Sequence, residues 1–144
     1  MTVLAARIRI LVVEDNRLRL QTILDMLPGD IVPCVATTAG RAIGMVQRDR
    51  KALAGIMLDY DLQERTETAE DFTRSGADVA AVIARQVPRQ VPVLVHTMSL
   101  AGSGEMSREL VSAGFSVTRI PMADLTPELL AGWIEEVRDN WDDG

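Results

Sequence analysis

Gly55-Ile56-Met57-Leu58-Asp59-Tyr60-Asp61-Leu62 is a short apolar run that passes directly into two carboxylates spaced one residue apart. A run this short and aliphatic, bounded by acids, fits a strand buried on both faces that surfaces at its C-terminal end and delivers acidic side chains there. Asp59 is the candidate reactive centre. An acid after a strand is common, and chemistry at it requires partners from other strands, which the flanking chain must supply.

Upstream, Ile8 to Val13 is β-branched and aliphatic and turns acidic at Glu14-Asp15-Asn16. Arg17 to Leu27 follows with Leu18, Leu20, Ile23, Leu24 and Leu27 near helical spacing, Asn16 or Asp15 as N-cap and Pro28-Gly29 as the stop. Ile31 to Ala36 is a second apolar strand, and Thr37-Thr38 can cap a helix from about Ala39 to Asp49. Downstream, Gln63 to Arg74 is polar and aperiodic, which predicts a long exposed loop beside Asp59. A third helix opens at Ser75-Gly76-Ala77-Asp78 and ends at Pro88; a fourth strand runs from Pro92 to Val95 and finishes at His96-Thr97. Ala101 to Gly104 reads as a small-residue loop before a helix marked by Met106, Leu110 and Val111. Ser116 to Ile120 is a fifth strand closed by Pro121. Thr126-Pro127-Glu128 then starts a last helix, whose apolar face is Leu129, Leu130, Trp133, Ile134, Val137 and Trp141.

Five apolar strands alternating with five helices imply an α/β fold with a parallel sheet covered on both faces, because parallel strands need crossover helices. The expected architecture is a flavodoxin-like, doubly wound five-stranded sheet of order 2-1-3-4-5. That order sets the carboxyl ends of strands one and three side by side, where ligands bind. Glu14, Asp15, Asp59 and Asp61 then share one crevice.

The totals narrow the function classes. A chain of 144 residues suits one domain over 1–144 with no separate output domain. No apolar run reaches the about 20 residues of a membrane span, and Met1 to Arg7 lacks a long apolar stretch, so a cytoplasmic protein is expected. A net charge of -6 gives no overall attraction for nucleic acid. Cys34 is the single cysteine and reads as a small strand residue. Of the 15 basic residues only Lys51 is a lysine, and it precedes strand three, at the opposite pole from Asp59.

Two bare carboxylates about 4 Å apart repel by roughly 1 to 4 kcal/mol, so a crevice of three or four demands a cation. An all-oxygen set suits Mg²⁺, and Thr97 adds a hydroxyl that can reach a phosphoryl oxygen on Asp59. This assembly fits in-line phosphoryl transfer to a carboxylate.

Glu14-Asp15, Leu58-Asp59, Thr97 and the strand-five Pro121 together resemble the receiver domain of two-component response regulators, over about Arg7 to Trp141. The resemblance implies Asp59 as phosphoacceptor and Mg²⁺ held by Glu14, Asp15, Asp59 and the carbonyl of Asp61, with Thr97 contacting the phosphoryl group. It also implies a histidine kinase or other phosphodonor and a downstream protein partner, with a homodimer left open and neither nucleic acid nor membrane involved. Two family features are missing. Ile120 stands where the family has a Lys before the strand-five Pro, and Val117 where it has a switch aromatic. Losing the ammonium should weaken phosphoryl retention roughly ten- to hundredfold. Arg119 is aimed the other way by strand alternation, which leaves Arg17, Arg65 or Arg74 to compensate.

A second resemblance accounts for these departures. Leu58-Asp59-Tyr60-Asp61-Leu62, the long loop to Ser75-Gly76, and Val95-His96-Thr97-Met98 followed by Gly104 and Met106 are similar to a receiver-derived group proposed to process cyclic phosphates. It implies a metal held by Asp59 and Asp61 with His96 as general acid or base. Against that, strand alternation aims His96 away from the Thr97 face, which suits a structural histidine. Three readings result: a phosphoacceptor receiver, which the sequence favours; a metal-dependent cyclic-phosphate hydrolase; and an unphosphorylated docking domain.

Overall fold

The computed structural model describes residues 7–64 and 68–143. Five strands, β1 (Ile8–Val13), β2 (Ile31–Ala36), β3 (Gly55–Leu58), β4 (Val93–Val95) and β5 (Val117–Arg119), form one sheet in the order β2-β1-β3-β4-β5. Every pairing is parallel. The helices α1 (Arg17–Met26), α2 (Ala39–Asp49), α3 (Gly76–Gln86), α4 (Leu100–Ser112) and α5 (Pro127–Asp143) make the crossovers. The doubly wound flavodoxin-like arrangement expected from the strand and helix alternation is therefore the one observed.

Period-two alternation divides the sheet into two cores. Leu11, Val13, Ile56, Leu58, Val93 and Val95 face α2, α3 and α4, where they meet Ala42, Val46, Val79, Ile83, Met106 and Leu110. Ile10, Val12, Met57 and Leu94 face the other way, onto Ile23 of α1 and Leu130, Trp133, Ile134 and Val137 of α5. Gly55 lets α5 lie close on β3, since a Cβ there would stand 2.9 Å from Val137 and 3.1 Å from the Trp133 ring. Pro33 sits in β2, an edge strand, where the missing N–H costs no ladder bond on the outer side.

Helix starts follow the sequence signals. Asn16, Thr38 and Ser75 each accept a backbone N–H from the first turn that follows them, and Ser75 with Asp78 forms a reciprocal capping box. Among the described residues no peptide bond is cis, so Ile120–Pro121 is trans.

Three local expectations change. Ala101 to Gly104 is not a loop: α4 begins at Leu100, with Ser99 capping through the Gly102 N–H, and Gly102 lies flat under Tyr60, where a Cβ would enter the ring. Val111 and Leu129 fall on exposed sides of their helices. Within Gln63 to Arg74 the chain makes a 3-10 turn over Ala69–Phe72, closed by a Thr68–Asp71 capping box, and buried Asp71 also accepts the Gly40 N–H at 3.2 Å. No helix of the described chain is long and apolar enough to cross a membrane.

Candidate functional site

The register of the sheet builds the site. Val13, Leu58 and Val95 are partners across β1, β3 and β4. One residue further, the ladder continues through Asp59 N–H donating to the Val13 carbonyl at 3.2 Å and His96 N–H donating to the Leu58 carbonyl at 3.2 Å. Ile120 N–H donates to the Val95 carbonyl at 3.0 Å. Glu14, Asp59, His96 and Ile120 thus stand in one row across four strand ends. By alternation all four extend the α1/α5 face, while Asp15 and Thr97 extend the other.

His96 does point away from the Thr97 face, as alternation requires, but that direction is toward the acids. Its Nδ1 lies 3.7 Å from Glu14 Oε1, and both side chains are fully buried. The ligand atoms of Glu14, Asp59 and His96 all fall within 4.8 Å of one another. Burial pushes the imidazole down to about 4, against the opposing pull of Glu14, so at neutral pH the ring is uncharged and keeps a lone pair.

Asp59 accepts the Tyr60 N–H at Oδ1 at 2.8 Å. Burial raises its carboxyl pKa, opposed by the Tyr60 N–H, the neighbouring Thr97 hydroxyl and the charge of Arg19, while Asp15 adds to the rise. Asp15 is also raised, first by burial and then by Glu14 and Glu64, although the Glu64 N–H donates to its Oδ2 at 2.7 Å. Asp15 Oδ1, Asp59 Oδ2 and both His96 nitrogens are buried without a hydrogen-bond partner among the described residues. Four such atoms gather at one pole, where a water or an ion could satisfy them.

Of the expected residues, Glu14, Asp15, Asp59, His96 and Thr97 are brought together. Asp61 is exposed at the rim of a cavity of about 50 Å³ that it lines with Arg19, Asp59, His96, Thr97, Met98 and Met122. A glycine supports Asp59 from behind: Gly76 N–H donates to the Tyr60 carbonyl at 2.7 Å, and a Cβ on Gly76 would strike the Asp59 carbonyl oxygen. The residue that sequence reasoning passed over is Arg19. Its Nε and Nη2 donate to the two Glu14 oxygens at 3.2 Å each, and Nη2 lies 3.7 Å from Asp59 and 3.8 Å from Asp15. The signal was present as an Asp15-to-Arg19 spacing of four at a helix start. Arg17 is exposed, Arg74 pairs with Glu70 at 3.0 Å, Arg119 turns to Ser103 at 2.8 Å, and Arg65 lies outside the described residues.

A family model described as the cyclic-phosphate processing Receiver domain matches residues 9–112. No curated protein sequence matches the chain. Among solved structures, the signal receiver domain of an HD domain-containing protein from Pseudomonas fluorescens superposes with TM-score 0.72 at 15% identity, covering 99% of this chain and 96% of that one. The receiver domain of a sensor histidine kinase from Pseudomonas aeruginosa, solved with magnesium coordinated in its active site cleft, gives 0.66 at 21% identity, covering 91% and 96%. The response regulator domain of Thermotoga maritima CheB gives 0.62 at 16%, covering 94% and 96%. At these identities the structural likeness speaks to fold.

Proposed function

Because the chain belongs to the cyclic-phosphate processing Receiver domain family, we propose that it is a receiver-derived hydrolase that opens a cyclic phosphate ester at the Glu14–Asp59–His96 row with a divalent cation. One observation carries this reading: a buried, uncharged imidazole, with no side-chain hydrogen bond and the Val13 backbone near it, stands among carboxylates. A site that only receives a phosphoryl group on Asp59 has no use for that group, and an inert docking domain has still less.

The donor set fits a metal. Its ligand atoms converge within 4.8 Å, and unsatisfied buried oxygens and nitrogens are what a cation would satisfy. Two carboxylates suit Mg²⁺ or Mn²⁺, and the added imidazole extends the range toward Zn²⁺. Glu14, Asp59 and His96 would hold the ion, which when bound polarises phosphoryl oxygens and acidifies a nearby water. Ring opening adds water across one P–O bond, so the hydroxyl ends on phosphorus and the proton on the departing oxygen. Around that reaction the Tyr60 N–H fixes Asp59 Oδ1 and leaves Oδ2 uncommitted. Thr97 offers a hydroxyl at the cavity wall, Met98 and Met122 form its apolar side, and Asp61 at the rim can pass a proton to solvent. A cavity of about 50 Å³ admits the phosphate end of a substrate and leaves its organic part outside.

The test offers five- and six-membered cyclic nucleotides to the protein with Mg²⁺ or Mn²⁺. Linear monophosphate should form, with a loss of roughly hundredfold or more in His96→Ala and Asp59→Asn. Equal, background-level turnover in wild type and His96→Ala overturns the reading. A second reading, phosphoacceptance at Asp59 from a histidine kinase or small phosphodonor with Mg²⁺ and output through a protein partner, is favoured by the free Oδ2 beside Thr97. It predicts a base-labile adduct with a small phosphodonor that Asp59→Asn lacks, and no adduct with any donor removes it.

A further inference from the structure

Among the residues lining the cavity beside Asp59, Arg19 is the one cation. It rises from the first turn of α1, forks onto Glu14 and reaches both Asp59 Oδ2 and Asp15 Oδ1 with Nη2. Those two oxygens are the carboxylate atoms left without hydrogen bonds, so a single guanidinium balances three acids. Glu14 Oε1, which accepts from Arg19 Nε at 3.2 Å, is also the oxygen 3.7 Å from His96 Nδ1. A dication between Glu14 and His96 competes with Arg19 for the Glu14 carboxylate, because the two cations repel at that distance. Glu14 and His96 are sealed in the fold, whereas the Arg19 side chain is 38% exposed, so Arg19 is the member free to leave.

We propose that Arg19 is an exchangeable counter-cation: it fills the acidic cleft until a divalent ion displaces it from Glu14, and it then turns its fork onto the phosphoryl oxygens of the substrate. The inference rests on the metal-dependent reading above. The planar pair of N–H groups that grips a carboxylate matches a phosphate equally well, so the exchange asks for a new side-chain torsion and no new chemistry. It also answers the charge problem. The three buried carboxylates, one dication and one guanidinium sum to zero, which leaves solvent-exposed Asp61 at the rim as the remaining negative charge an anionic ester meets. Ile120, at the strand-five end of the row, supplies none of this charge.

The experiment compares wild type, Arg19→Gln, Arg19→Lys and, as a charge control on the same turn, exposed Arg17→Gln. Mn²⁺ affinity is measured by paramagnetic resonance titration, and inorganic phosphate affinity of the Mg²⁺-loaded protein by calorimetry. Arg19→Gln should bind Mn²⁺ about tenfold tighter and phosphate about tenfold weaker, opposite shifts that general loss of structure would not produce. Arg19→Lys, which keeps the charge without the fork, should regain the metal competition and only part of the phosphate affinity. Wild type and Arg19→Gln binding Mn²⁺ equally, or Arg17→Gln matching Arg19→Gln, sinks the exchange and leaves the metal site standing. No Mn²⁺ binding by either protein removes both. Binding by Arg19→Gln alone would support the displacement.

Discussion

Lowering the pH of the metal-free protein should destabilise it through His96 over a defined window. The native imidazole titrates at about 4, against 6.5 for an exposed ring. Between those values the unfolded chain binds a proton that the native state refuses, so stability falls as pH drops from about 6.5 to about 4. A difference near 2.5 pH units at roughly 1.4 kcal/mol per unit sets the full loss at about 3 to 4 kcal/mol. Asp15 and Asp59 act in the opposite sense. Their raised native pKa values mean that the folded state takes up protons before the unfolded one, which favours folding as pH falls through their range. The His96 contribution is therefore read as a difference between two proteins. Urea unfolding followed by circular dichroism, with chelator present, should show wild type losing about 2 to 3 kcal/mol relative to His96→Leu between neutral and weakly acid pH. Parallel pH profiles for the two proteins would refute a buried uncharged imidazole at this position.

Two further outcomes follow from packing and burial. Asp59→Asn should stabilise the metal-free protein by about 1 kcal/mol at pH 8, because it removes a buried charge whose chief burden is desolvation; a loss of stability in urea titration would contradict this. Gly102→Ala should cost about 1 to 3 kcal/mol, since its methyl would enter the Tyr60 ring, and an unchanged melting temperature would mean that the ring does not rest on that glycine.

The strand order was legible because each strand is a short aliphatic run and each crossover carries its own cap and stop. Thr38, Ser75 and Pro127 mark their helices in sequence as in space. The start of α4 was not, because Ala101 to Gly104 has a loop's composition; what makes it helical is tertiary, the Tyr60 ring lying on Gly102. The acids of the site were found because they directly follow apolar runs. His96 was placed on the correct face but not beside the acids, since alternation along one strand says nothing of its neighbours. Only the register of β1, β3 and β4 puts Glu14 and Asp59 on the same side as His96. Arg19 escaped notice because helical spacing was used to find apolar faces and was not applied to charges. The Thr68–Asp71 box had its sequence signature, a hydroxyl three residues before an acid, inside a stretch judged aperiodic.

Gly76 packs against the Asp59–Tyr60 backbone and Gly102 against the Tyr60 ring, so two helix starts hold this residue pair closely. Asp59 consequently stands on an anvil and not on a spring. A ligand arriving at the cleft finds the Asp59 carboxylate already in position, and accommodation to its size must come from the periphery, where Met98 and Leu100 are open to solvent. Efforts to change what the protein accepts belong at that outer ring of side chains, because remodelling the seat itself would shift two helices at once.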